Sequence, residues 1–335
     1  MSTPNSVATV GERALIDLIR ARVPPAPPWV ALGIGDDAAL VEPQPRTLDV
    51  FTTDAQVDGV HFNRATSPPD AIGHRALAVN LSDLAAMGAQ PRVALLSLLL
   101  PADLPVSDLT AIIDGLLALA ARHEVALVGG NITRTTGPLA IDITAIGSVH
   151  PRKFLKRSGA RPGDAVWVSG TIGSAAAGLQ SLTASPPSDG SMSACQEAYL
   201  RPDPRVRLGL LLGRNVAASA CLDLSDGLAD GLHQLAIASE AGLVIDGNAV
   251  PITPEARAWF VGRQVDPLLA AMGGGDDYEL LFTVSARQRS RLASVQRVLG
   301  GLPLTRIGTV TAGRTVRLKT ALGECLVPPG YEHFR

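Results

Sequence analysis

Four short stretches of the chain set aspartates among glycine and aliphatic residues. They are "LGIGDDAAL" with Asp36 and Asp37, "NLSDLAAMGA" with Asp83, "LDLSDGLADG" with Asp223 and Asp226, and "GGGDDYEL" with Asp276 and Asp277. Two unit charges about 4 Å apart repel by roughly 1 kcal/mol in water and about 4 kcal/mol at an effective dielectric near 20. A double carboxylate in such a setting therefore requires exposure, protonation or cations. No Lys or Arg lies between Arg22 and Arg46, so a cation for Asp36 and Asp37 must come from elsewhere in the fold or from solution. Aspartate before a helix is a good N-cap, and Asp226 alone reads as one. Four such stretches, joined by Asp54 in "TLDVFTTD", point instead to hard oxygen ligands, which suit Mg2+ rather than zinc or copper. The neighbouring glycines let backbone amides approach a phosphate, and Mg2+ is commonly held by a few carboxylates plus substrate phosphates.

"GIGDDA" also satisfies G-x-G-x-x-G/A through Gly33, Gly35 and Ala38, with Asp54 near the distance of a ribose-binding acid. The dinucleotide reading is set aside on context. That fingerprint needs a strand before it and a helix after it, Pro27 and Pro28 sit where the strand should be, and a pyrophosphate on the turn would meet Asp36 and Asp37. No P-loop and no protein-kinase catalytic motif occurs. A formal net charge of -2 without a Lys/Arg-rich block argues against a nucleic-acid partner. Cys195, Cys221 and Cys325 match no zinc spacing and read as reduced thiols.

The elements that must position these residues follow from periodicity and breakers. A helix is expected over Glu12 to Arg22, ended by Pro24, Pro25, Pro27 and Pro28. Thr47 to Asp54 reads as a strand with Asp54 at or near its C-terminal end. A helix over Asp70 to Gly88 puts Asn80 and Asp83 on one side. A strand (Arg92 to Leu100), a helix (Ser107 to His123), a short strand into "LVGGN" and a strand (Leu139 to Val149) complete the first half. The polar, turn-rich segment from His150 to Asp164 marks a domain boundary, giving domains 1–150 and 151–335. The second half alternates again, through "AVWVSG", small-residue helices, "CLDLSDGL" leading into a helix to about Gly242, "GGGDDYELLFTV" and a final strand pair. Ser181 to Ser193 reads as a low-complexity loop without chemistry. At 335 residues and 46% hydrophobic the chain has enough apolar mass for two folded domains. Its apolar runs are too short to span a membrane, and the N-terminus lacks a basic region followed by an apolar signal core, so a cytoplasmic location is expected.

Taken in order, "GIGDDAAL", "FTTDAQVDGVHF", "RALAVNLSDLAAMGAQP", "LVGGN", "KRSGARPGD", "LDLSDGL" and "GGDDYELLFTV" resemble the thiamine-monophosphate kinases. These are relatives of aminoimidazole ribonucleotide synthetase that use ATP without a P-loop. The resemblance implies an α/β and α+β two-domain, aminoimidazole ribonucleotide synthetase-like fold. The N-terminal domain would bind ATP and Mg2+ and add strands to a barrel shared in a homodimer, and an α+β C-terminal domain would follow. It implies ATP-dependent phosphorylation of thiamine monophosphate to the diphosphate. It assigns Asp37, Thr52, Thr53, Asp54, Asp83, Asp223 and Asp226 to magnesium, with Asn131 where the family usually has a further Asp. Gly129, Gly130, Arg157 and Ser225 go to the nucleotide, and His61, Asp276 and Tyr331 to the substrate, Asp276 standing where Glu is usual.

Read without the family, His61 is a strand-end histidine satisfied by backbone, Arg157 a solvated loop charge and Tyr331 a packing residue. Asp277 is a cap or ion-pair partner outside the site. No general base is expected, since a phosphate monoester is mostly dianionic at pH 7 and the difficulty is neutralising repulsion while holding an in-line attack. Two alternatives stay open. One is another ATP-dependent enzyme of the superfamily; the other is a non-catalytic nucleotide or metal-binding relative in which Asn131 marks a decayed site.

Overall fold

The structure, a computed structural model, describes residues 6–184 and 190–330. They divide into two compact units: the chain up to Leu84 with Gln90–His150, and Ala85–Ala89 with the chain from Pro151 onward.

The first unit opens with α1 (Val7–Val10) and α2 (Glu12–Arg20), then a two-stranded ribbon of β1 (Val30–Leu32) and β2 (Leu40–Val41). Next come β3 (Leu48–Val57), α3 (Pro69–Ala86), β4 (Gln90–Pro101), α4 (Val106–Arg122), β5 (Ala126–Thr135) and β6 (Ala140–Val149). The last four strands form a sheet in the order β3-β6-β4-β5, with only β4 and β5 parallel. Alternation along the strands gives this sheet two unlike faces. Leu96, Leu98, Leu100, Ile141, Ile143 and Ala145 are buried on one. The other carries Phe51, Leu95, Ser97, Asp142, Thr144 and Ile146, none of them buried. Helices α3 and α4 cross closely because glycines stand at the crossing. A Cβ on Gly73 would lie 1.8 Å from the Ile112 carbonyl oxygen, and one on Gly115 1.9 Å from that of Asp70.

The second unit is built on a seven-stranded sheet in the order β13-β12-β9-β11-β7-β10-β8. Its elements in chain order begin with β7 (Ala165–Ser169), α5 (Ser174–Leu182), α6 (Ser193–Leu200), α7 (Val206–Asn215), β8 (Ala220–Asp223), α8 (Leu228–Ser239) and β9 (Gly242–Asp246). They continue with α9 (Pro254–Gly262), α10 (Pro267–Gly273), β10 (Leu280–Val284), α11 (Arg289–Leu299), β11 (Leu304–Thr311), β12 (Val316–Thr320) and β13 (Gly323–Leu326). All neighbours are antiparallel except β12 with β9. Leu228, Leu232 and Leu235 of α8 join Val166, Val168, Leu222, Leu243, Leu281 and Ile307 in one core. A smaller cluster gathers Ala177, Met192, Cys195, Ala256 and Phe260 under α5, α6 and α9.

Several expectations from the sequence change here. Strand β3 continues to Val57, because Ala55, Gln56 and Val57 keep pairing with β6, so Asp54 lies inside the strand and not at its end. The "GGN" stretch lies within β5, since the parallel ladder with β4 continues through it and Gly130 has room only for a hydrogen, the Leu96 carbonyl oxygen standing 1.8 Å from where a Cβ would be. The prolines do not prevent a strand before "GIGDDA": β1 comes directly after them. That turn leads into β2 and not into a helix, so the dinucleotide fingerprint still lacks its context. The closing strand pair is a set of three, β11, β12 and β13. No helix among the described residues is long and apolar enough to cross a membrane.

Candidate active site

In the first unit the candidate residues fall on both faces of the four-stranded sheet. Thr52 and Asp54 share the covered face, and the Thr52 hydroxyl donates to Asp83 Oδ2 of α3. That bond joins two of the assigned residues and fixes one carboxylate oxygen. Next along this face, Gln56 accepts from Arg75 Nε of α3 at 3.1 Å. Gly130 lies in the same cross-strand row as Asp54, through Ile143 and Leu96. That is three strand spacings, about 14 Å, so the two do not meet across the sheet.

Thr53 points the other way. Its hydroxyl donates to Asp142 Oδ1 at 3.0 Å, and Thr144 Oγ1 lies 3.3 Å from it. On this open face a cavity of about 1150 Å3 is lined by Asp36, Asp37, Ser97, Gly129, Gly130, Asn131, Asp142 and Thr144, among others. Asn131, Ser97 and Asp142 form one row across β5, β4 and β6. Asp142 was not singled out in the sequence, since a lone aspartate in an alternating strand reads as an ordinary solvent-facing residue. The cation sought for the double aspartate has a candidate in Arg20 of α2. A Cβ built on Gly35 would lie 3.1 Å from its guanidinium. Asp36 and Asp37 themselves are exposed, and Asp36 Oδ1 accepts the Asp37 amide at 2.9 Å.

His61 sits in the turn after β3, where its Nδ1 accepts the Val57 amide at 3.1 Å. The backbone satisfaction expected of a strand-end histidine is thus present, and it has a chemical result. With Nδ1 as acceptor, the neutral ring carries its proton on Nε2, which makes that atom a donor.

In the second unit Asp223 ends β8, and Ser225 Oγ donates to Asp226 Oδ2 at 2.8 Å. Gly227 occupies the N-cap of α8, so Asp226 is not its cap. Arg157 Nη1 donates to Gln234 Oε1 of α8 at 2.6 Å, and Gln234 in turn donates to Asp230. The arginine is therefore an exposed loop charge, as read without the family, that is tethered to the helix following Asp226. Burial raises the Asp230 carboxyl above its ordinary range, partly offset by Gln234, with the Asp226 charge adding to the rise.

The Asp276 amide donates to Ser225 O at 2.7 Å and the Tyr278 amide to Leu224 O at 2.9 Å. These bonds bring the assigned Asp276 beside Ser225. Asp277 Oδ2 accepts the Gly173 amide at 2.8 Å and Oδ1 the Ala175 amide at 3.3 Å, so it caps the start of α5. The residue as a whole is half-buried, and its carboxyl is enclosed where it meets the two amides. Burial pushes that carboxyl well above the usual range, against the pull of the two amides, and the charges of Glu279 and Asp276 push the same way. Tyr331 lies outside the described residues.

Among the described residues no three His, Cys, Asp or Glu side chains gather closely enough to hold a metal alone. The donors assigned to metal are all oxygen, from carboxylates, the hydroxyls of Thr52 and Thr53 and the Asn131 amide. That set fits Mg2+, which keeps waters and shares substrate phosphates, and does not fit a closed protein cage or a thiolate metal.

The two units match two family descriptions: "AIR synthase related protein, N-terminal domain" over residues 35–149 and "AIR synthase related protein, C-terminal domain" over residues 161–320. The chain is thus an AIR synthase related protein of two domains. The thiamine-monophosphate kinase of Escherichia coli K12 is 40% identical over 334 residues, covering 97% of this chain and 98% of that protein. That of Rhodopirellula baltica is 34% identical, covering 96% and 97%. Among solved structures, thiamine-monophosphate kinase from Stenotrophomonas maltophilia K279a has a TM-score of 0.80 at 42% identity, covering 91% of this chain and 95% of that one. AaThiL complexed with AMPPCP and TMP has a TM-score of 0.77 at 32% identity, covering 99% and 100%. The hydrogenase maturation protein HypE of E. coli, at 22% identity and a TM-score of 0.77, shares the fold. The chain belongs to the thiamine-monophosphate kinase family.

Proposed function

We propose that this protein transfers the terminal phosphoryl group of ATP to thiamine monophosphate, giving thiamine diphosphate and ADP. The observation that carries the reading is the likeness, over 99% of this chain, to a family structure complexed with AMPPCP and TMP. The all-oxygen donor set supports it. In this reading residues 1–150 bind ATP and Mg2+ and pair two copies of the chain, residues 151–335 form the α+β partner domain, and the enzyme works in the cytoplasm.

Asp54, Asp83 and Thr52 would hold magnesium on one face of the first unit. Asp37, Asn131 and Thr53 would do so on the other, and Asp223 and Asp226 in the second unit. The bound ions would neutralise and align the phosphates. Gly129, Gly130, Ser225 and Arg157 contact the nucleotide, Arg157 supplying a fixed positive charge. His61, through its Nε2 proton, donates to the thiamine phosphate, and Asp276 and Tyr331 orient the substrate. The acceptor oxygen is already ionised near pH 7, so these residues bind, orient and neutralise and none takes a proton.

Incubation of purified protein with ATP, thiamine monophosphate and a Mg2+ series, with chromatographic detection of thiamine diphosphate, tests the reading. Product from the monophosphate and none from free thiamine is the expected result. A folded, ATP-binding protein that makes no diphosphate at any Mg2+ concentration would overturn it. Asn131 favours a second reading, that of a nucleotide binder without turnover, which predicts that Asn131→Asp creates activity absent from the natural chain.

A further inference from the structure

Glu279 and Arg205 have no part in the assigned site, yet they form an enclosed ion pair. Glu279 is 3% exposed. Arg205, at the N-cap of α7, donates from Nε to Oε2 at 2.7 Å and from Nη2 to Oε1 at 2.5 Å, while Ser169 Oγ donates to Oε2 at 2.5 Å. Arg205 Nη1 also donates to Asp203 at 2.7 Å, and Ser169 Oγ accepts the Leu280 amide at 2.9 Å. The carboxylate packs against Gly170, where a Cβ would stand 1.8 Å from Oε1.

The backbone on either side of this pair is the backbone of the site. Leu224 N donates to Glu279 O at 2.9 Å, Tyr278 N to Leu224 O at 2.9 Å and Asp276 N to Ser225 O at 2.7 Å. The antiparallel pairing of β8 with β10 thus runs on, past the last register pair Asp223 with Leu280, as an irregular zipper between segments 223–225 and 276–279. Asp276 and Tyr278 sit in the left-handed region, at φ 70° and 48°. That region is unfavourable for an aromatic residue and persists only where surroundings over-determine it. The Tyr278 hydroxyl lies 3.4 Å from Asp276 Oδ1, so this strained backbone also aims the Asp276 carboxylate.

We propose that the Arg205–Glu279–Ser169 clamp is a positioning device. It holds the zipper shut and so fixes Asp276, on the substrate side, relative to Asp223, Ser225 and Asp226 on the nucleotide and metal side. The inference rests on the roles that the kinase reading gives those four residues. An ion pair kept only for stability is poorly accounted for, because an apolar pair of similar volume often does as well. A planar fork on a buried carboxylate supplies geometry that a point charge cannot.

Arg205→Lys keeps the charge and loses the fork. Compared with the natural protein, it raises the KM for thiamine monophosphate about tenfold with a smaller change in kcat per folded molecule, as expected of misplacement and not of lost chemistry. Peptide-resolved hydrogen exchange reads the clamp without reference to any substrate. Segments 221–227 and 274–281 exchange about tenfold faster in the variant, while β9 and β11 are unchanged. If Arg205→Lys does not fold, Ser169→Ala, which removes one hydrogen bond to the same carboxylate, gives the same pattern at about twofold to threefold. Unchanged exchange in those two segments, or acceleration spread evenly over the second unit, overturns the proposal. A natural protein that makes no thiamine diphosphate would instead sink the kinase reading, and the exchange pattern would still decide the clamp.

Discussion

The turn at Asp36 and Asp37 and the turn at Asp276 and Asp277 both set two aspartates after glycine, and they end in opposite physical states. In the first, both residues are exposed and the described bond between them is an aspartate closing on its neighbour's amide. In the second, one carboxylate is turned inward to cap a helix, and the backbone is tied to Leu224 and Ser225. A flexible guanidinium lies against Gly35, whereas Gly275 meets the Ser225 carbonyl oxygen, 2.5 Å from where its Cβ would be. The same local sequence is therefore an exposed turn in one unit and a turn tied into its surroundings in the other. Which of the two a Gly-Asp-Asp turn becomes depends on what the rest of the chain packs against it.

The contrast can be broken most decisively at the two central aspartates. Asp37→Asn is expected to lower kcat/KM at limiting Mg2+ by about a hundredfold, with stability changed by less than about 0.5 kcal/mol, as read by steady-state rates and thermal melting. Asp277→Ala should reverse that profile. It leaves two amides at the start of α5 without an acceptor and costs about 1–3 kcal/mol in urea unfolding. Equal stability losses in the two variants would erase the distinction.

A pH series sharpens the comparison further. The Asp277 carboxyl is raised in the folded protein, so it binds its proton more tightly folded than unfolded. The stability this contributes is complete below the ordinary carboxylate range near pH 4 and is lost as pH rises through the folded value. Unfolding midpoints should thus fall more steeply with rising pH in the natural protein than in Asp277→Asn. The smallest effect is expected at Asn131, which lines the same cavity as Asp36 and Asp37. Asn131→Asp returns a negative charge there and should shift the Mg2+ midpoint of activity downward by a few fold.

The longer helices and the sheet strands of the first unit were legible from composition, breakers and periodicity, whereas β9, α9, α10 and α11 of the second were not singled out, and the candidate residues were legible only as a set of motifs. The failures have local causes. Asp54 looked like a strand end because a charged residue follows a β-branched run, but pairing with β6 carries the strand three residues further. The strand expected to be short on entering "LVGGN" runs on through the glycines to Thr135, because a parallel neighbour holds them in the ladder. Thr52 and Thr53 are adjacent in sequence and so share a motif, while the pleat sends one to Asp83 and the other to Asp142. The clamp was invisible for a different reason: Arg205 and Glu279 are 74 residues apart, and although Glu279 stands inside "GGDDYELLFTV", Arg205 belongs to no motif that points to it.

The open face of the four-stranded sheet carries Phe51 at 67% exposed and Leu95 at 37%, on a sheet whose edge strand β3 pairs on one side only. Leaving such a face in water is costly, and an uncovered edge invites unwanted pairing. If the proposed pairing of two copies through the first unit also shields part of this face, folding and association become one equilibrium governed by mass action. The midpoint of unfolding then climbs with protein concentration, and dilution alone weakens the fold.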